Sequence, residues 1–475
     1  MPKVQLYVPP GGYFAERWSK GSSIPPLGLL SIGAVLEREG IPVEIVPADI
    51  LGLSWSDIVR KIRADRPDIV GVTITTENRF QSFRLVRLAK KARPEVLTIL
   101  GGPHASMAAE DCLDHIPELD LVCRGEGEET MLEVCRRWTP GSGAAVLGDV
   151  RGLVLRRDGR ASANPPRPPI ADLDTLPSPA FHLVPFEKYN FTLDVPGRGP
   201  LRAISVMTSR GCPFACSFCA TPINWGRHVR MRSPENVVRE IELLKERYGI
   251  EAVFFYDDTF NASPRRADAI CDLMIARGLD VRFMCDVRLD IMSRELIEKM
   301  KRAGLYYLSY GLEAGSDRVR KDIVGKQIDL ADFHRLTGWC LELGIVANVF
   351  MIFSHPTETW TEAQETIRLI EKYGAGSRLR SPFSMCIRAR PWKKPPGRGA
   401  FFRRDSRGRN GTARGSSPSP WPRATFPCSS TSSAGPRSAS SSCAGRSAPG
   451  NPLRLKKLPG RSERSAPGGI SPVSR

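Results

Sequence analysis

Arg210-Gly211-Cys212-Pro213-Phe214-Ala215-Cys216-Ser217-Phe218-Cys219 places three cysteines at C-x3-C-x2-C spacing just after an apolar run, Ala203 to Met207, that reads as a β-strand. Three thiolates on one short loop can converge on a single soft metal centre. Three is one short of the usual four-cysteine iron–sulfur cluster, so one iron would stay open to bind a substrate. Zinc is the alternative, but it favours paired C-x2-C knuckles and a fourth ligand, and His228 is the only near candidate. A third reading makes the cysteines ordinary buried residues, with Phe214 and Phe218 as core.

The flanking chain repeats strand then helix. Strands are expected over Ala203–Thr208, Ala252–Tyr256, Val281–Cys285, Tyr306–Tyr310, Val346–Phe353 and, more weakly, Pro382–Ile387. Amphipathic helices are expected near Pro234–Tyr248, Arg265–Arg277, Arg294–Ala303, Asp317–Ile323, Ala331–Leu343 and Thr361–Tyr373. Six units are too few for a full eight-unit barrel. The loop resembles the signature of the radical S-adenosylmethionine (SAM) enzymes, C-x3-C-x2-C with an aromatic before the last cysteine, the place Phe218 fills. The resemblance implies a partial (β/α)6 barrel with a 4Fe-4S cluster on Cys212, Cys216 and Cys219. In that family the open iron chelates SAM, and an electron cleaves SAM to a 5′-deoxyadenosyl radical. The same resemblance puts Asp257 and Asp258, at the end of the second strand, near the SAM amino group. It assigns Glu313, in Gly311-Leu312-Glu313-Ala314-Gly315-Ser316, to the SAM ribose or methionine. Read from chemistry alone, the two acids could instead cap the next helix, and the glycine-rich run could be a surface turn. Arg288 follows the third strand and can pair with a carboxylate. Asn348 and His355 lie in and after the fifth, and His355 could face substrate.

Upstream, residues 1–138 alternate strand and helix. The strands read as Val4–Val8, Pro42–Val46, Ile69–Thr73, Val96–Leu100 and Leu121–Cys123. Such alternation predicts a doubly wound parallel sheet whose ligands sit beyond the carboxyl ends of the strands. Those ends carry Pro9 to Gly12, Asp49, Thr73 to Thr76, Gly101-Gly102-Pro103-His104 and Arg124-Gly125-Glu126-Gly127-Glu128. No G-x-G-x-x-G follows the first strand, which argues against a dinucleotide site. Beside a radical SAM core, the Pro26-Leu27-Gly28, Gly101-to-His104 and Gly125-to-Glu128 stretches resemble the cobalamin-binding module of one large subclass. The resemblance makes Thr73, Gly101, Gly102, His104 and Gly125 candidate cobalamin contacts; read from chemistry alone, Gly101-Gly102 could be a tight strand-to-helix turn and His104 an ordinary turn histidine. The D-x-H-x-x-G motif that donates a histidine to cobalt is absent, as it is in many members of that subclass.

Residues 139–200 read as a proline-rich linker through Pro165 to Pro169 and the run from Ile170 to Pro179; a D-L-D-x-L-P-x-P bridge of that kind recurs between the two domains of the subclass. The barrel is expected over 201–386. From 387 to 475 Arg, Ser, Pro and Gly dominate, and Arg-Ser-Ala-Pro-Gly occurs twice, a composition expected to be disordered. The abrupt change suggests a shifted reading frame in a GC-rich gene, with a genuine basic tail as the alternative. This tail also explains the formal net charge of +18. Of the 69 Lys and Arg, 19 lie from Arg388 onward against two acids, which leaves 50 basic and 49 acidic residues before it. The excess charge therefore does not argue for nucleic-acid binding by the folded body.

Twelve cysteines in 475 residues are too sparse for a secreted disulfide scaffold, and no run approaches a membrane span or a signal peptide, so a cytoplasmic protein is expected. Cys219-Ala220-Thr221-Pro222 and Phe353-Ser354-His355-Pro356-Thr357-Glu358-Thr359 resemble the anaerobic magnesium-protoporphyrin monomethyl ester cyclase group, which shades into cobalamin-dependent (class B) radical SAM methyltransferases. The resemblance implies methylation or oxidative cyclisation of a small-molecule or tetrapyrrole-like substrate, with electrons from a donor such as flavodoxin or ferredoxin. A methylthiotransferase is a rival, but Cys112, Cys123 and Cys135 lack the compact spacing of its second cluster. A non-catalytic metal-binding protein and an inactive truncated remnant are the others.

Overall fold

The computed structural model describes residues 1–11, 24–374, 379–380 and 383–385. The compositionally distinct tail after 386, and Gly12 of the first strand-end run, lie outside the described residues.

The first sheet contains β1 (Val4–Val8), β2 (Val43–Pro47), β3 (Ile69–Thr73), β4 (Leu97–Gly101) and β5 (Leu121–Cys123), in the order β2-β1-β3-β4-β5, all parallel. Apolar runs buried on both faces are what such strands need. The helices Leu27–Arg38 and Glu128–Arg137 cover one face through Leu30, Leu36, Met131 and Val134. The helices Trp55–Asp65 and Arg79–Ala92 cover the other through Ile58, Ile62, Leu85 and Val86. The sheet is doubly wound, as the alternation predicts.

The stretch 139–200 is more structured than a spacer. It adds the antiparallel strands β6 (Leu153–Arg157) and β7 (Arg160–Ala163) to the sheet edge beside β5. Asp158 and Gly159 form the turn between them with φ of 50° and 77°, the geometry a two-residue Asp-Gly hairpin requires. Further on, β8 (Thr192–Val195) pairs antiparallel with β9 (Gly199–Val206).

The second sheet is built on β9. A two-residue ladder, β10 (Ser209–Arg210) with β11 (Arg230–Met231), closes the excursion that carries the three cysteines. Then come β12 (Ala252–Phe255), β13 (Arg282–Val287), β14 (Leu305–Glu313) and β15 (Val346–Phe353), each parallel to its neighbour, with β16 (Leu379–Arg380) and β17 (Phe383–Met385) beside β15. The order β16-β15-β14-β13-β12-β9-β8 is an open, curled half-barrel. Its helices begin at Pro234, Pro264 and Arg294 behind the caps Ser233, Ser263 and Ser293, whose side chains accept from Asn236, Arg266 and Leu296 backbone N–H. Each cap satisfies an otherwise orphan donor. The helix expected over Asp317–Ile323 is instead a π-helical turn, Arg318–Ile323. One apolar cluster runs from the first sheet through Phe181 and Phe186 into Ile204, Phe255 and Phe283 of the barrel, so the two sheets share a core.

Candidate functional site

The cysteine excursion is held at both ends and in the middle. Gly211 has φ +98°, and a Cβ there would come within 2.5 Å of the His228 carbonyl oxygen, so only glycine fits. Ser217 donates from its backbone N and its Oγ to the carbonyls of Val324 and Ile323, both at 2.8 Å, pinning the loop to the end of the π turn. Cys212 Sγ lies 3.4 Å from Thr259 Oγ1, and Thr221 N donates to Cys219 Sγ at 3.4 Å. Cys212, Cys216 and Cys219 are half-buried, whereas the six other described cysteines are buried. All three line one cavity of about 400 Å³ at the barrel mouth. Burial raises the Cys216 thiol despite the nearby Lys326 charge. Among the described residues no three His, Cys, Asp or Glu side chains converge tightly enough for a single ion. Three thiolates on one short loop, facing one cavity, are a donor set that a multi-iron cluster can take, one thiolate per iron.

Of the candidate cofactor-site residues in the barrel, Phe218, Asp258, Arg288 and Glu313 line this cavity and Asp257 does not. Asp257 turns into the core. One of its oxygens accepts from Thr208 N at 2.6 Å and Ser209 N at 2.9 Å, and the other accepts from Thr208 Oγ1. It fixes the segment that leads into the cysteine loop. Asp258 accepts from Thr221 Oγ1 at 2.7 Å, and burial raises its carboxyl above the usual range. Arg288 lies flat over Phe214, 3.8 Å from the ring centroid, and pairs with Asp290 at 2.7 Å. Glu313 adopts φ +74°, rare for a residue with a side chain and common where function imposes strain. Lys326 Nζ bonds it at 3.0 Å and the Gly311 carbonyl at 2.5 Å. Arg320, fully buried, donates to the carbonyls of Ala314, Gly315 and Ile328 at 2.7–3.1 Å and so sets the shape of the turn after β14.

Sequence reasoning passed over Asp286, Ser309 and Lys326, which line the same cavity. Asp286 and Ser309 face each other in register across β13 and β14, and burial pushes the Asp286 carboxyl up to about 6. The available signal was parity: Asp286 stands two residues before Arg288, on the same face of the strand. Asn348 donates to Ser309 Oγ at 3.4 Å behind this row. His355 is buried outside the cavity lining, and burial lowers its pKa.

The ligand edge of the first sheet gathers Thr73, Gly101, Gly102 and His104. Gly102 has φ +110°, and a Cβ there would sit 2.9 Å from the Ile74 carbonyl oxygen and 3.2 Å from Thr73 Oγ1. His104 Nδ1 meets Thr76 Oγ1 at 3.1 Å, and burial lowers its pKa, which keeps the ring neutral. Gly125, on the neighbouring strand end, donates to Ser106 Oγ at 3.0 Å and has open space where a side chain would project. Gly125 leaves backbone bare where a large flat ligand such as a corrin could approach, while Gly102 is required by the tight turn itself. The turn Pro103–Met107 packs against the turn Thr221–Asn224 just after Cys219, so the two ligand edges adjoin.

Between them lies a buried charge cluster that the sequence did not reveal. Arg210 pairs with Glu126 at 3.0 Å and with Glu128 at 2.6 Å, and Arg230 pairs with Glu126 at 2.7 Å. Ser31 Oγ donates to Glu128 at 2.8 Å. Cys112, Cys123 and Cys135, the triple that a methylthiotransferase would need, are buried in the cores, and burial pushes their thiols to about 11, 12 and 12. No helix among the described residues is long and apolar enough to cross a membrane.

Family models match both halves of the chain. The B12 binding domain matches residues 19–135, and the radical SAM superfamily matches residues 206–370. An uncharacterized methyltransferase of Pyrococcus horikoshii is 32% identical over 370 residues, 78% of each chain. The anaerobic magnesium-protoporphyrin IX monomethyl ester cyclase of Rubrivivax gelatinosus is 30% identical over 76% of this chain and 63% of its own length. The solved structure of TsrM, a radical SAM methyltransferase from Kitasatospora setae, superposes with a TM-score of 0.66 at 19% identity, covering 81% of this chain and 73% of that one; this likeness speaks for the fold. By fold, by its cysteine loop and by these matches, the chain belongs to the radical SAM superfamily, in the branch that carries a B12 binding domain.

Proposed function

We propose that this protein functionalises an unreactive carbon of a small-molecule substrate, by methylation or by oxidative cyclisation, at the junction of its two ligand edges. Membership of the family makes it a radical SAM enzyme whose cofactors are a 4Fe-4S cluster, SAM and cobalamin. Bound, these supply the electron that splits SAM, hydrogen abstraction from carbon, and methyl or oxidative chemistry at that carbon. The observation that carries the reading is the half-buried cysteine triple in a cavity shared with Asp258, Arg288 and Glu313, next to the glycine-lined edge of the first sheet.

In this reading Cys212, Cys216 and Cys219 hold the cluster. Asp258 and Glu313 receive the cationic, hydrogen-bonding end of SAM, while Phe218 and the Arg288–Phe214 stack wall the cavity. Asp257 positions the loop and touches no ligand. Thr73, Gly101, Gly102, His104 and Gly125 bound the cobalamin edge, with the His104 ring oriented by Thr76 through Nδ1. The family-model matches support a division into a cobalamin domain over 1–138 and a barrel over 201–386 joined by 139–200. The relatives' printed names support both methyl transfer and ring closure, and neither substrate is carried over. A flavodoxin- or ferredoxin-type donor and a cytoplasmic setting suit a cluster that must be reduced and kept from oxygen.

Anaerobic reconstitution with iron and sulfide tests this. About four irons per chain, a spectrum that changes with SAM, and 5′-deoxyadenosine formed under reduction are expected, with iron lost in Cys216→Ala. Zinc uptake without a cluster would overturn the reading.

A further inference from the structure

Glu126 closes the excursion that carries the cysteines from the other sheet. Its Oε1 accepts from Arg210 Nη1 at 3.0 Å and from Arg230 Nη1 at 2.7 Å, and its Oε2 accepts from the Ile170 backbone N at 2.7 Å. Arg210 and Arg230 are register partners in the ladder of β10 and β11. They are therefore the points where the 211–229 excursion leaves and rejoins the barrel. Glu126 itself stands in the loop after β5, at the ligand edge of the first sheet, one residue beyond Gly125. The next carboxylate, Glu128, takes the second Arg210 nitrogen at 2.6 Å. All four side chains are less than a tenth exposed, and their two positive and two negative charges balance.

An interface between domains is ordinarily wet and free to shift. Here its centre is buried, and the arginine–glutamate contacts are charge-assisted and directional. A second route runs in parallel: Gly125 N donates to Ser106 Oγ, and the turn that carries Ser106 packs on Thr221–Asn224. A shift of the strand-end loop on ligand binding must then move the base of the cysteine excursion or break buried ion pairs.

We propose that Glu126 is a positioning residue that couples the two cofactor sites, so that assembly of the cluster tightens binding of cobalamin and the reverse. This rests on the cofactor assignment above. Coupling of this kind is reciprocal, and typical values correspond to about 5- to 150-fold in affinity.

The test is a titration of the full chain with hydroxocobalamin, followed by absorbance under anaerobic conditions, before and after iron–sulfide reconstitution. The wild type is expected to bind at least about fivefold more tightly once reconstituted. Glu126→Gln, which keeps the shape, should bring that ratio close to one, and Arg230→Met should do the same from the barrel side. The thermal midpoint of each variant is measured alongside. A lowered midpoint with an unchanged ratio would show a purely structural role and overturn the proposal, as would a wild-type ratio of one. If the wild type takes up iron but no cobalamin in either state, the cofactor assignment fails, and the proposal falls with it.

Discussion

Arg210→Met removes the shared cation of the buried cluster while keeping most of the side-chain volume. Two charge-assisted contacts are lost, at 3.0 Å to Glu126 and 2.6 Å to Glu128. Glu126 retains Arg230, but Glu128, 5% exposed at its side chain, keeps among the described residues only Ser31 Oγ as a close side-chain donor. Leaving one buried charge without its partner costs about 3–5 kcal/mol, a large part of a stability of about 5–15 kcal/mol. For a folded unit of this size the midpoint of thermal unfolding should fall by about 4–6 °C. The loss should also depend on pH in a defined sense. In the wild type, burial acts to raise the Glu128 carboxyl, yet the charge and hydrogen bond of Arg210, aided by Ser31, hold it below the usual range. Its folded pKa is depressed, so its contribution is present above the unfolded pKa and lost as pH falls through the folded one. Without Arg210 the burial effect dominates and the folded pKa rises. The penalty is then full above that value and is relieved on protonation as pH falls. Urea unfolding of both proteins from about pH 8 to about pH 5 should therefore show a stability gap that narrows on acidification. Adding Glu128→Gln should recover part of the loss, with a coupling energy of about 1 kcal/mol or more. A gap that is flat with pH, or below about 1 kcal/mol at pH 8, would mean that the cluster is hydrated and would refute the argument.

The adjacent acids after β12 should separate by assay. Asp258→Asn should weaken SAM binding by about 10- to 100-fold, the worth of a charged hydrogen bond, in an anaerobic equilibrium titration. Asp257→Asn, which loosens the hold on Thr208 and Ser209, should instead lower the iron retained per chain, and the reverse pattern would refute their assigned orientations. In Gly102→Ala the new Cβ would sit 2.9 Å from the Ile74 carbonyl oxygen in a left-handed conformation. A loss of about 1–3 kcal/mol in urea unfolding is expected, together with weaker uptake of hydroxocobalamin; a neutral effect would mean that the turn relaxes freely.

What was legible in the chain was what local physics sets. Apolar runs marked the strands, and amphipathic spacing marked the barrel helices near Pro234–Tyr248 and Arg265–Arg277. The hairpin of β6 and β7 was not among the expectations for 139–200, although Asp158-Gly159 between short alternating runs is a local turn signal. The cysteine loop was legible because its ligands are close in sequence. The orientation of Asp257 against Asp258 was not, because neighbours at a strand end point to opposite sides and only the surrounding core decides which side is which. The same holds for the π turn at Arg318–Ile323: an apolar pattern of that length reads as α-helix, and the buried contacts of Arg320 with Ala314, Gly315 and Ile328 were not visible in it.

The Gly125-to-Glu128 stretch shows where reading by motif stops. Its glycines read as a place for a ligand, which follows from local backbone freedom. Its glutamates find their arginines 82 to 104 residues away, and no spacing rule links positions so far apart. Yet the four side chains make sense together only once both sheets are in place, because docking strips water from each glutamate and the arginines of the other sheet replace it. The cluster therefore forms when the two halves dock, and its balanced charge makes other docking angles costly, since any rotation leaves a buried ion without a partner. The apolar cluster that runs through Phe181 and Phe186 supplies non-directional adhesion between the sheets. The arginine–glutamate contacts supply direction, and that direction brings the turn Pro103–Met107 of one ligand edge onto the turn Thr221–Asn224 of the other.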